Sequence, residues 1–285
     1  MKTAILGGGV VGLCYAQALA DAGHTLSGIC DPQPAAALQT FAQVHGLAIH
    51  PAPGPWLDDA ELVISAVFGT LALEVMRAAL PHLRSGALYV DMSTADPADM
   101  REAEALAHAR GQRFADVAIT GAVNLSGART PLLCAGDGAT QAAQVLAACG
   151  APVRVVGSRA GDAVSLKLLR SIFTKGMEAL AVECLLTAES KGLRQELHAV
   201  LSDIDEGCLR ETMESMVRTH IAHAPRRLNE VIEAQRQMRL TGVEPVVLPG
   251  VQQRFEKTVA MLSARAFDGG NTAAALAWLA APDKA

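Results

Sequence analysis

The hydrophobic positions of the first 157 residues alternate between short β-branched runs, typical of buried strands, and longer stretches with helical periodicity. The short runs predict strands at residues 3–6, 25–30, 62–67, 87–91, 114–119, 131–135 and 153–156. The periodic stretches predict helices at residues 10–22, 34–44, 70–80, 97–109 and 138–149. Strands that alternate with helices in this way form a mostly parallel sheet covered by helices on both faces.

The pattern changes after Gly157, where long amphipathic stretches replace the alternation. Residues 160–191 predict one long helix that ends at Gly192. Shorter helices are predicted at residues 193–203, 205–220, 223–241 and 248–265, with breaks at Gly207, Pro225, Gly242 and between Pro245 and Pro249. We therefore expect an α/β Rossmann domain with a doubly wound sheet at residues 1–158. An all-α domain is expected at residues 159–285, joined to the first domain by the long helix.

A glycine-rich turn connects the first predicted strand to the first predicted helix. Its sequence, Gly7-Gly8-Gly9-Val10-Val11-Gly12, has the spacing G-x-G-x-x-G. Gly7 permits a tight turn, Gly9 lets the backbone approach a pyrophosphate, and Gly12 lets the helix pack closely on the strand. The N–H groups and the positive dipole end of the helix then face the phosphates. Because the turn follows a strand and opens a helix, it predicts a nicotinamide-dinucleotide site at Gly7, Gly9, Val10, Val11 and Gly12, with a plain connecting turn as the alternative.

Asp31 follows the second predicted strand, about 20 residues after the turn. A carboxylate there accepts hydrogen bonds from the adenosine ribose hydroxyls and repels a 2′-phosphate, and no Lys or Arg lies nearby in the sequence. We therefore expect NAD as the preferred cofactor and NADP as the alternative, unless Asp31 only caps the turn before Pro32. Val67 and Phe68, which end another predicted strand, are expected either near the adenosine and its ribose or in the core.

Composition and charge exclude several classes of function. The chain is 51% hydrophobic and 19% charged with a net charge of −5, and it has no basic stripe of the kind that binds nucleic acid. No stretch reaches the roughly 18 apolar residues of a membrane span. The six cysteines lie far apart and are expected to be free buried thiols, and His220 and His223 have no third ligand at a metal spacing. We expect a cytoplasmic protein with no nucleic-acid, membrane or metal partner.

Four segments in order along the chain resemble the β-hydroxyacid dehydrogenases, the family of 3-hydroxyisobutyrate and 6-phosphogluconate dehydrogenases. They are the glycine turn, Asp91-Met92-Ser93-Thr94 followed by Pro97, Asp116 to Ala122, and Gly161 to Lys167, so the resemblance covers nearly the whole chain. It implies that the second segment lies beside the nicotinamide, that the third holds the substrate, and that the fourth carries a catalytic lysine.

The chain departs from the family pattern at several positions. Ala118 replaces a proline, Thr120 a serine, Ala122 a glycine, Ala163 a glycine, and Ser171 an asparagine. The last departure matters most, because the asparagine amide usually helps to orient the substrate. Residues 166–180 look more like a divergent subgroup whose C-terminal domain is catalogued as a domain of unknown function.

The resemblance implies that Lys167 is the general acid/base, since a lysine in a desolvated cleft has its pKa lowered towards neutrality. The alternative is a surface lysine. Ser171 and Lys175 follow at i+4 and i+8 on the same helical face and are expected to line an anionic substrate site. Lys175 is the second candidate for the acid/base or a carboxylate anchor, and a salt bridge with Glu178 is its alternative.

Two strand ends complete the expected site. Ser93, which follows the strand at 87–91, is expected to contact the nicotinamide or the substrate, although it could cap helix 97–109, a role for which Asp96 competes. Thr120, Gly121 and Ala122 are expected to hold a substrate carboxylate, unless they form an ordinary turn.

Together these residues predict an NAD(P)-dependent oxidoreductase that transfers a hydride between nicotinamide and a small 3-hydroxy acid or its oxo form. An imine reductase or reductive aminase of the same architecture and a non-catalytic NAD(P)-binding protein are the alternatives. The expected partner is a small-molecule carboxylate substrate. A homodimer is expected as well, because family members commonly form one and the second domain has apolar helices.

Overall fold

The computed structural model describes residues 1–281, in which the chain divides into two units, Met1–Ser171 and a second that begins at Ile172. One sheet in the first unit contains β1 (Lys2–Leu6), β2 (Thr25–Cys30), β3 (Ile49–His50), β4 (Leu62–Ser65), β5 (Leu88–Asp91), β6 (Arg113–Ile119), β7 (Leu132–Ala135) and β8 (Val153–Gly157). Its helices are α1 (Val10–Asp21), α2 (Ala36–His45), α3 (Ala72–Ala79), α4 (Pro97–His108), α5 (Val123–Ser126) and α6 (Ala139–Ala148). Helix α7 (Asp162–Ser190) begins in the first unit and ends in the second.

The strands are arranged in the order β3-β2-β1-β4-β5-β6-β7-β8. All neighbouring pairs are parallel except β6 and β7, which are antiparallel. The chain leaves β1 on one side to form β2 and β3, and then returns to the other side of β1 with β4. This reversal opens a crevice at the carboxyl ends of β1 and β4, where doubly wound sheets bind ligands. The expected α/β Rossmann fold is confirmed.

The sheet is buried on both faces, which is why its strands are nearly continuous apolar runs. Ile5, Ile64 and Val90 belong to the hydrophobic cluster on one face, and Val63 and Tyr89 belong to the cluster on the other. Ala160 and Val164 also belong to this second cluster, and both are fully buried. The beginning of α7 is therefore part of the core of the first unit.

The second unit is helical. It contains the rest of α7, followed by α8 (Arg194–Val200), α9 (Ser202–Asp205), α10 (Leu209–Leu240), α11 (Leu248–Ala264) and α12 (Thr272–Ala280), with α10 packed against α11 and α12. The predicted break at Pro225 is wrong, because α10 continues through it. Ile221 and Ala224, in the turn before Pro225, are fully buried. Their packing outweighs the hydrogen bond that the proline cannot donate.

Other differences from the sequence predictions are small. The two-residue strand β3 and helix α12 were not predicted, and β4 ends at Ser65, two residues early. Cys184 and Cys208 are exposed, which corrects the expectation that the free thiols are all buried. Within residues 1–281, no helix is both long and apolar enough to cross a membrane. The domain boundary at residue 158 stays a prediction.

Candidate active site

The glycine turn between β1 and α1 forms an open anion-binding surface. Gly7 has a φ of +90°, a conformation that side chains disfavour. A Cβ on Gly12 would lie 1.8 Å from the carbonyl oxygen of Gly7, whereas a Cβ on Gly9 would meet no atom within 4 Å. Gly9 is the N-cap of α1 and no side chain caps it. Val10, at the first position of the helix, is 72% exposed. The N-terminus of α1 is therefore accessible to an anion, and the turn fits a pyrophosphate.

Asp31 lies at the carboxyl end of β2, directly beside this turn. Its Oδ2 atom accepts a hydrogen bond of 2.9 Å from the Gly8 N–H, and its Oδ1 atom accepts one of 2.8 Å from the Gln33 N–H. The carboxylate therefore does stabilise the turn that contains Pro32, which agrees with the alternative that Asp31 caps a turn here. Each carboxylate oxygen keeps a second lone pair, so the same group can also accept hydrogen bonds from ribose hydroxyls.

Val67 and Phe68 follow β4 on the other side of β1. The Val67 Cγ1 atom would be 3.1 Å from a Cβ on Gly7, so Val67 contacts the turn. Phe68 is 81% exposed, which rules out a core position for its ring. An aromatic ring held in solvent next to a candidate nucleotide site offers a flat apolar surface to a ligand.

The segment after β5 contains a buried carboxylate, Asp91, which is 1% exposed. Its Oδ1 atom accepts hydrogen bonds from both the N–H (2.8 Å) and the hydroxyl of Ser93. Burial raises the pKa of Asp91, and the hydrogen bonds from Ser93 oppose this shift. Asp96 caps α4 by accepting from the Ala98 N–H at 2.7 Å, so Ser93 is not the cap of that helix.

Thr120, Gly121 and Ala122 connect β6 to α5. The N–H and the hydroxyl of Thr120 both donate to the carbonyl oxygen of Pro131, at 3.0 and 2.9 Å. Thr120 therefore uses both donors on the residue before β7, while Gly121 and Ala122 are exposed at the carboxyl edge of the sheet. The substrate contact predicted for these three residues stays a prediction.

Lys167 extends from the second turn of α7 to the end of β5. Its Nζ atom donates a hydrogen bond of 2.7 Å to the Thr94 hydroxyl oxygen. Burial lowers the pKa of Lys167, and the negative charge of Asp116 opposes the shift. The lysine is therefore partly desolvated and directed towards a strand end, rather than being a fully solvated surface residue.

Ser171 lies one turn after Lys167, and its hydroxyl donates to the Lys167 carbonyl oxygen at 3.0 Å. Lys175 belongs to the second unit and is paired with Glu178 at 2.6 Å, with 75% of its side chain exposed. The salt bridge considered as the alternative for Lys175 is present. The structure thus brings Lys167 to the end of β5, and the substrate roles of Ser171 and Lys175 stay predictions.

Sequence reasoning missed two features of this edge. It did not anticipate the contact of Lys167 with Thr94, and it gave no role to Asp91 or Asp116, which are fully or almost fully buried. A carboxylate within an apolar strand or at its end was the available signal, because aspartate is rarely buried without partners. Within residues 1–281, no three His, Cys, Asp or Glu side chains are grouped to hold a metal ion.

Comparisons with known proteins assign the chain to a family. Residues 2–157 match the model of the NAD binding domain of 6-phosphogluconate dehydrogenase, and residues 188–258 match a domain of unknown function, DUF1932. The chain is 29% identical over 210 residues to a probable 3-hydroxyisobutyrate dehydrogenase of Mycobacterium tuberculosis, with 72% of this chain and 70% of that protein covered.

Solved structures agree with this assignment. A conserved protein of unknown function, described as structurally similar to 3-hydroxyacid dehydrogenases, is 28% identical and superposes with a TM-score of 0.63 over 93% of this chain and 100% of that chain. A variant imine reductase from Myxococcus stipitatus in complex with NAD+ is 17% identical, with a TM-score of 0.76 over 98% of both chains. The second likeness shows the fold alone.

The matched family model covers the whole sheet, including the glycine turn and the strand ends described above. The chain is therefore an NAD-binding protein of an oxidoreductase family, and it belongs to the β-hydroxyacid dehydrogenases as a member of a divergent subgroup with a C-terminal domain of unknown function.

Proposed function

We propose that this protein is an NAD-dependent dehydrogenase that interconverts a small 3-hydroxy acid and its oxo form, with Lys167 as the general acid/base. The observation that supports this most directly is the position of the lysine. Its Nζ atom lies 2.7 Å from the Thr94 hydroxyl at the carboxyl end of β5, and burial lowers its pKa. A partly desolvated amine at the ligand-binding edge of a parallel sheet suits proton exchange with a substrate hydroxyl.

The residues around the turn fit a nicotinamide dinucleotide. Space above Gly9 and the uncapped N-terminus of α1 would take the pyrophosphate, while Asp31 would take the adenosine ribose. When bound, the nicotinamide supplies or accepts the hydride. The protein's own contribution is to hold the substrate and to move one proton.

Lys167 removes the hydroxyl proton in the oxidative direction and returns it in the reductive direction. Because the oxidation needs the neutral amine, its rate rises with pH until Lys167 is deprotonated, and the lowered pKa brings that point below the usual range of lysine. Thr94 fixes the amine by accepting its hydrogen bond. Both donors of Thr120 are used by the Pro131 carbonyl oxygen, so they are not available to a substrate. The exposed backbone at Gly121 and Ala122 would therefore bind the substrate carboxylate.

The proposed preference for NAD over NADP rests on Asp31. Its two oxygens are already fixed by backbone N–H groups, so the carboxylate is preorganised at the turn. The following residues, Pro32, Gln33 and Pro34, contain no cation that could neutralise a 2′-phosphate. A phosphate there would meet a like charge and lose two charge-assisted hydrogen bonds.

Reduction of an imine is the second candidate function, and Ser171 is the observation that favours it. Where hydroxyacid dehydrogenases have an asparagine amide, this chain has a hydroxyl that donates to its own helix. The site therefore lacks one of the polar groups that orient a hydroxy acid.

Lys167→Ala tests the proposed chemistry. Turnover of 3-hydroxy acids should fall by about 10²–10⁴ with little change in cofactor affinity, because proton transfer is lost and the glycine turn is untouched. The assay follows nicotinamide absorbance with 3-hydroxy acids and with cyclic imines, each with NAD(H) and NADP(H).

Lys175→Ala is the matched control, because this lysine is exposed and paired with Glu178. If Lys167 is the acid/base, this variant should keep its turnover number, whereas an inactive Lys175→Ala beside an active Lys167→Ala would assign the acid/base to Lys175. A fully active Lys167→Ala variant would contradict the assignment of the lysine, and turnover of imines alone would contradict the 3-hydroxy acid substrate. Binding of NADH without turnover of either class would indicate a non-catalytic protein.

A further inference from the structure

A buried carboxylate from the sheet caps the beginning of the helix that carries Lys167. Asp116, in β6, is fully buried, and its Oδ2 atom accepts hydrogen bonds from the N–H groups of Gly161 (3.0 Å) and Val164 (3.1 Å). Helix α7 begins at Asp162, and the first N–H groups of a helix have no partners within it. Here a distant strand supplies the acceptor, and its negative charge lies at the positive end of the helix dipole.

The same hydrogen bonds fix the position of the Lys167 backbone. Val164 and Lys167 are three residues apart and therefore neighbours on one face of α7. The other end of the lysine is fixed by the hydrogen bond from Nζ to Thr94. The amine is thus held between a capped helix turn and a strand end, so a shift of the first turn of α7 displaces the amine.

Asp116 also acts on Lys167 through its charge. Its Oδ1 atom is buried and, among the described residues, has no hydrogen-bond partner, so part of the charge is not locally compensated. Burial raises the pKa of Asp116 to about 6, and the hydrogen bonds from α7 oppose that shift. The negative charge in turn raises the pKa of Lys167 against the effect of burial.

Other titratable or charged groups lie near Asp116 or near the Gly161 N–H that it binds. Asp91 is its neighbour in register on β5, and its charge further raises the pKa of Asp116. The Cys134 thiol of β7 has its pKa raised to about 12 by burial, so it stays neutral. The Arg101 guanidinium of α4 lies 3.1 Å from where a Cβ on Gly161 would be. Asp116 is the group among them that both contacts α7 and acts on the pKa of Lys167.

We propose that Asp116 is a positioning residue for Lys167, because its hydrogen bonds fix the first turn of α7, the helix that carries the lysine. The negative charge of Asp116 also favours the protonated form of Lys167. This inference rests on the proposed role of Lys167 in proton transfer. Because coupling between two sites is reciprocal, protonation of Asp116 lowers the proton affinity of Lys167. The lysine therefore becomes a weaker base as Asp116 is neutralised.

Asp116→Asn removes the charge and keeps an oxygen that can accept the hydrogen bonds from α7. The readout is the pKa of Lys167, measured by NMR on protein labelled with ¹³C at the lysine Cε. The chain has six lysines, so Lys167→Arg is sufficient to assign the resonance. We expect the pKa of Lys167 to fall by about one pH unit in Asp116→Asn.

Asp91→Asn is the matched control, because Asp91 is equally buried one strand away but its hydrogen bonds go to Ser93 and not to α7. It should leave the pKa of Lys167 unchanged. An unchanged pKa of Lys167 in Asp116→Asn, or an equal fall in both variants, would overturn the proposal. If Asp116→Asn does not fold, the wild-type titration decides, because the Lys167 resonance should show a smaller inflection near pH 6 from Asp116, and its absence overturns the coupling.

Neither measurement requires turnover. If wild-type protein has no dehydrogenase activity, the proposed function fails while the pKa measurement still decides the role of Asp116. If activity is found, the rate of oxidation in Asp116→Asn should level off at a pH about one unit lower than in the wild-type protein. Purely structural damage would lower the rate without changing its dependence on pH.

Discussion

Alanine at Gly9 and alanine at Gly12 place the same methyl group in opposite surroundings. A Cβ on Gly9 meets no atom within 4 Å, and the φ of Gly9 is an ordinary −68°. A Cβ on Gly12 lies 1.8 Å from the Gly7 carbonyl oxygen, where no real contact is possible. The fold therefore requires glycine at position 12 but not at position 9, and we expect the requirement at Gly9 to come from the ligand.

The magnitudes follow from these distances. Gly9→Ala should stabilise the fold slightly, by about 0.4–1 kcal/mol, because alanine restricts the unfolded chain and fits the native conformation. Its methyl group fills the space over which a pyrophosphate would approach, and one lost charge-assisted hydrogen bond costs roughly 1.5–3 kcal/mol. The Kd for NADH should then rise roughly ten- to a hundredfold. Gly12→Ala forces α1 away from the turn and should cost about 1–3 kcal/mol or more in stability.

Two measurements on each variant separate the effects. Calorimetric titration with NADH gives the affinity, and urea unfolding gives the stability. Gly9→Ala should bind weakly and unfold at the wild-type midpoint or above it, whereas Gly12→Ala should unfold at lower urea. Wild-type affinity in Gly9→Ala would refute the placement of the pyrophosphate at this turn, and wild-type stability in Gly12→Ala would refute the packing argument.

Three further outcomes are expected. Replacing Asp31 by Ser and Pro32 by Arg should narrow or reverse a preference for NADH over NADPH of about tenfold or more, and wild-type protein that uses NADPH at least as well as NADH would contradict the role of the carboxylate. Folding raises the pKa of Asp116 from 3.8 to about 6. Between these two pH values the folded protein binds more protons than the unfolded chain, so the free energy of unfolding falls as the pH rises. This contribution is roughly 3 kcal/mol and should disappear from urea unfolding curves of Asp116→Asn. A fragment of residues 1–171 should fold and bind NADH. A fragment of residues 1–158 should be less stable, because it lacks the buried start of α7. Equal stability of the two fragments would place the domain boundary at residue 158.

The parts of the fold that depend on local sequence were predictable. The turn from Gly7 to Gly12 and helix α1 follow from glycine spacing and helical periodicity over a dozen residues, and the structure has them within one residue of the prediction. Strand β3 was missed because two residues at the edge of a sheet give no recognisable pattern. The predicted break at Pro225 failed because local propensity gave way to packing of the preceding turn.

The candidate site was predictable in its residue types but not in its contacts. A resemblance in motif order singled out Lys167, but the hydrogen bond to Thr94 joins residues 73 positions apart, and periodicity does not tell which strand end a helix meets. The hydrogen bond of Ser171 was not predicted either. Its hydroxyl donates to the Lys167 carbonyl oxygen one turn earlier, a local bond that short hydroxyl side chains commonly form in helices.

The contact of Asp116 with the start of α7 has a consequence for the order of folding. The donors to its carboxylate come 45 and 48 positions later in the chain. A nascent chain that has released β6 but not residue 164 has no backbone N–H from α7 to offer this group, and burying an unpartnered carboxylate is costly. That face of the sheet must then stay hydrated, or Asp116 must stay protonated, until the first turn of α7 leaves the ribosome and docks. Completion of the first unit during synthesis therefore waits for its last segment.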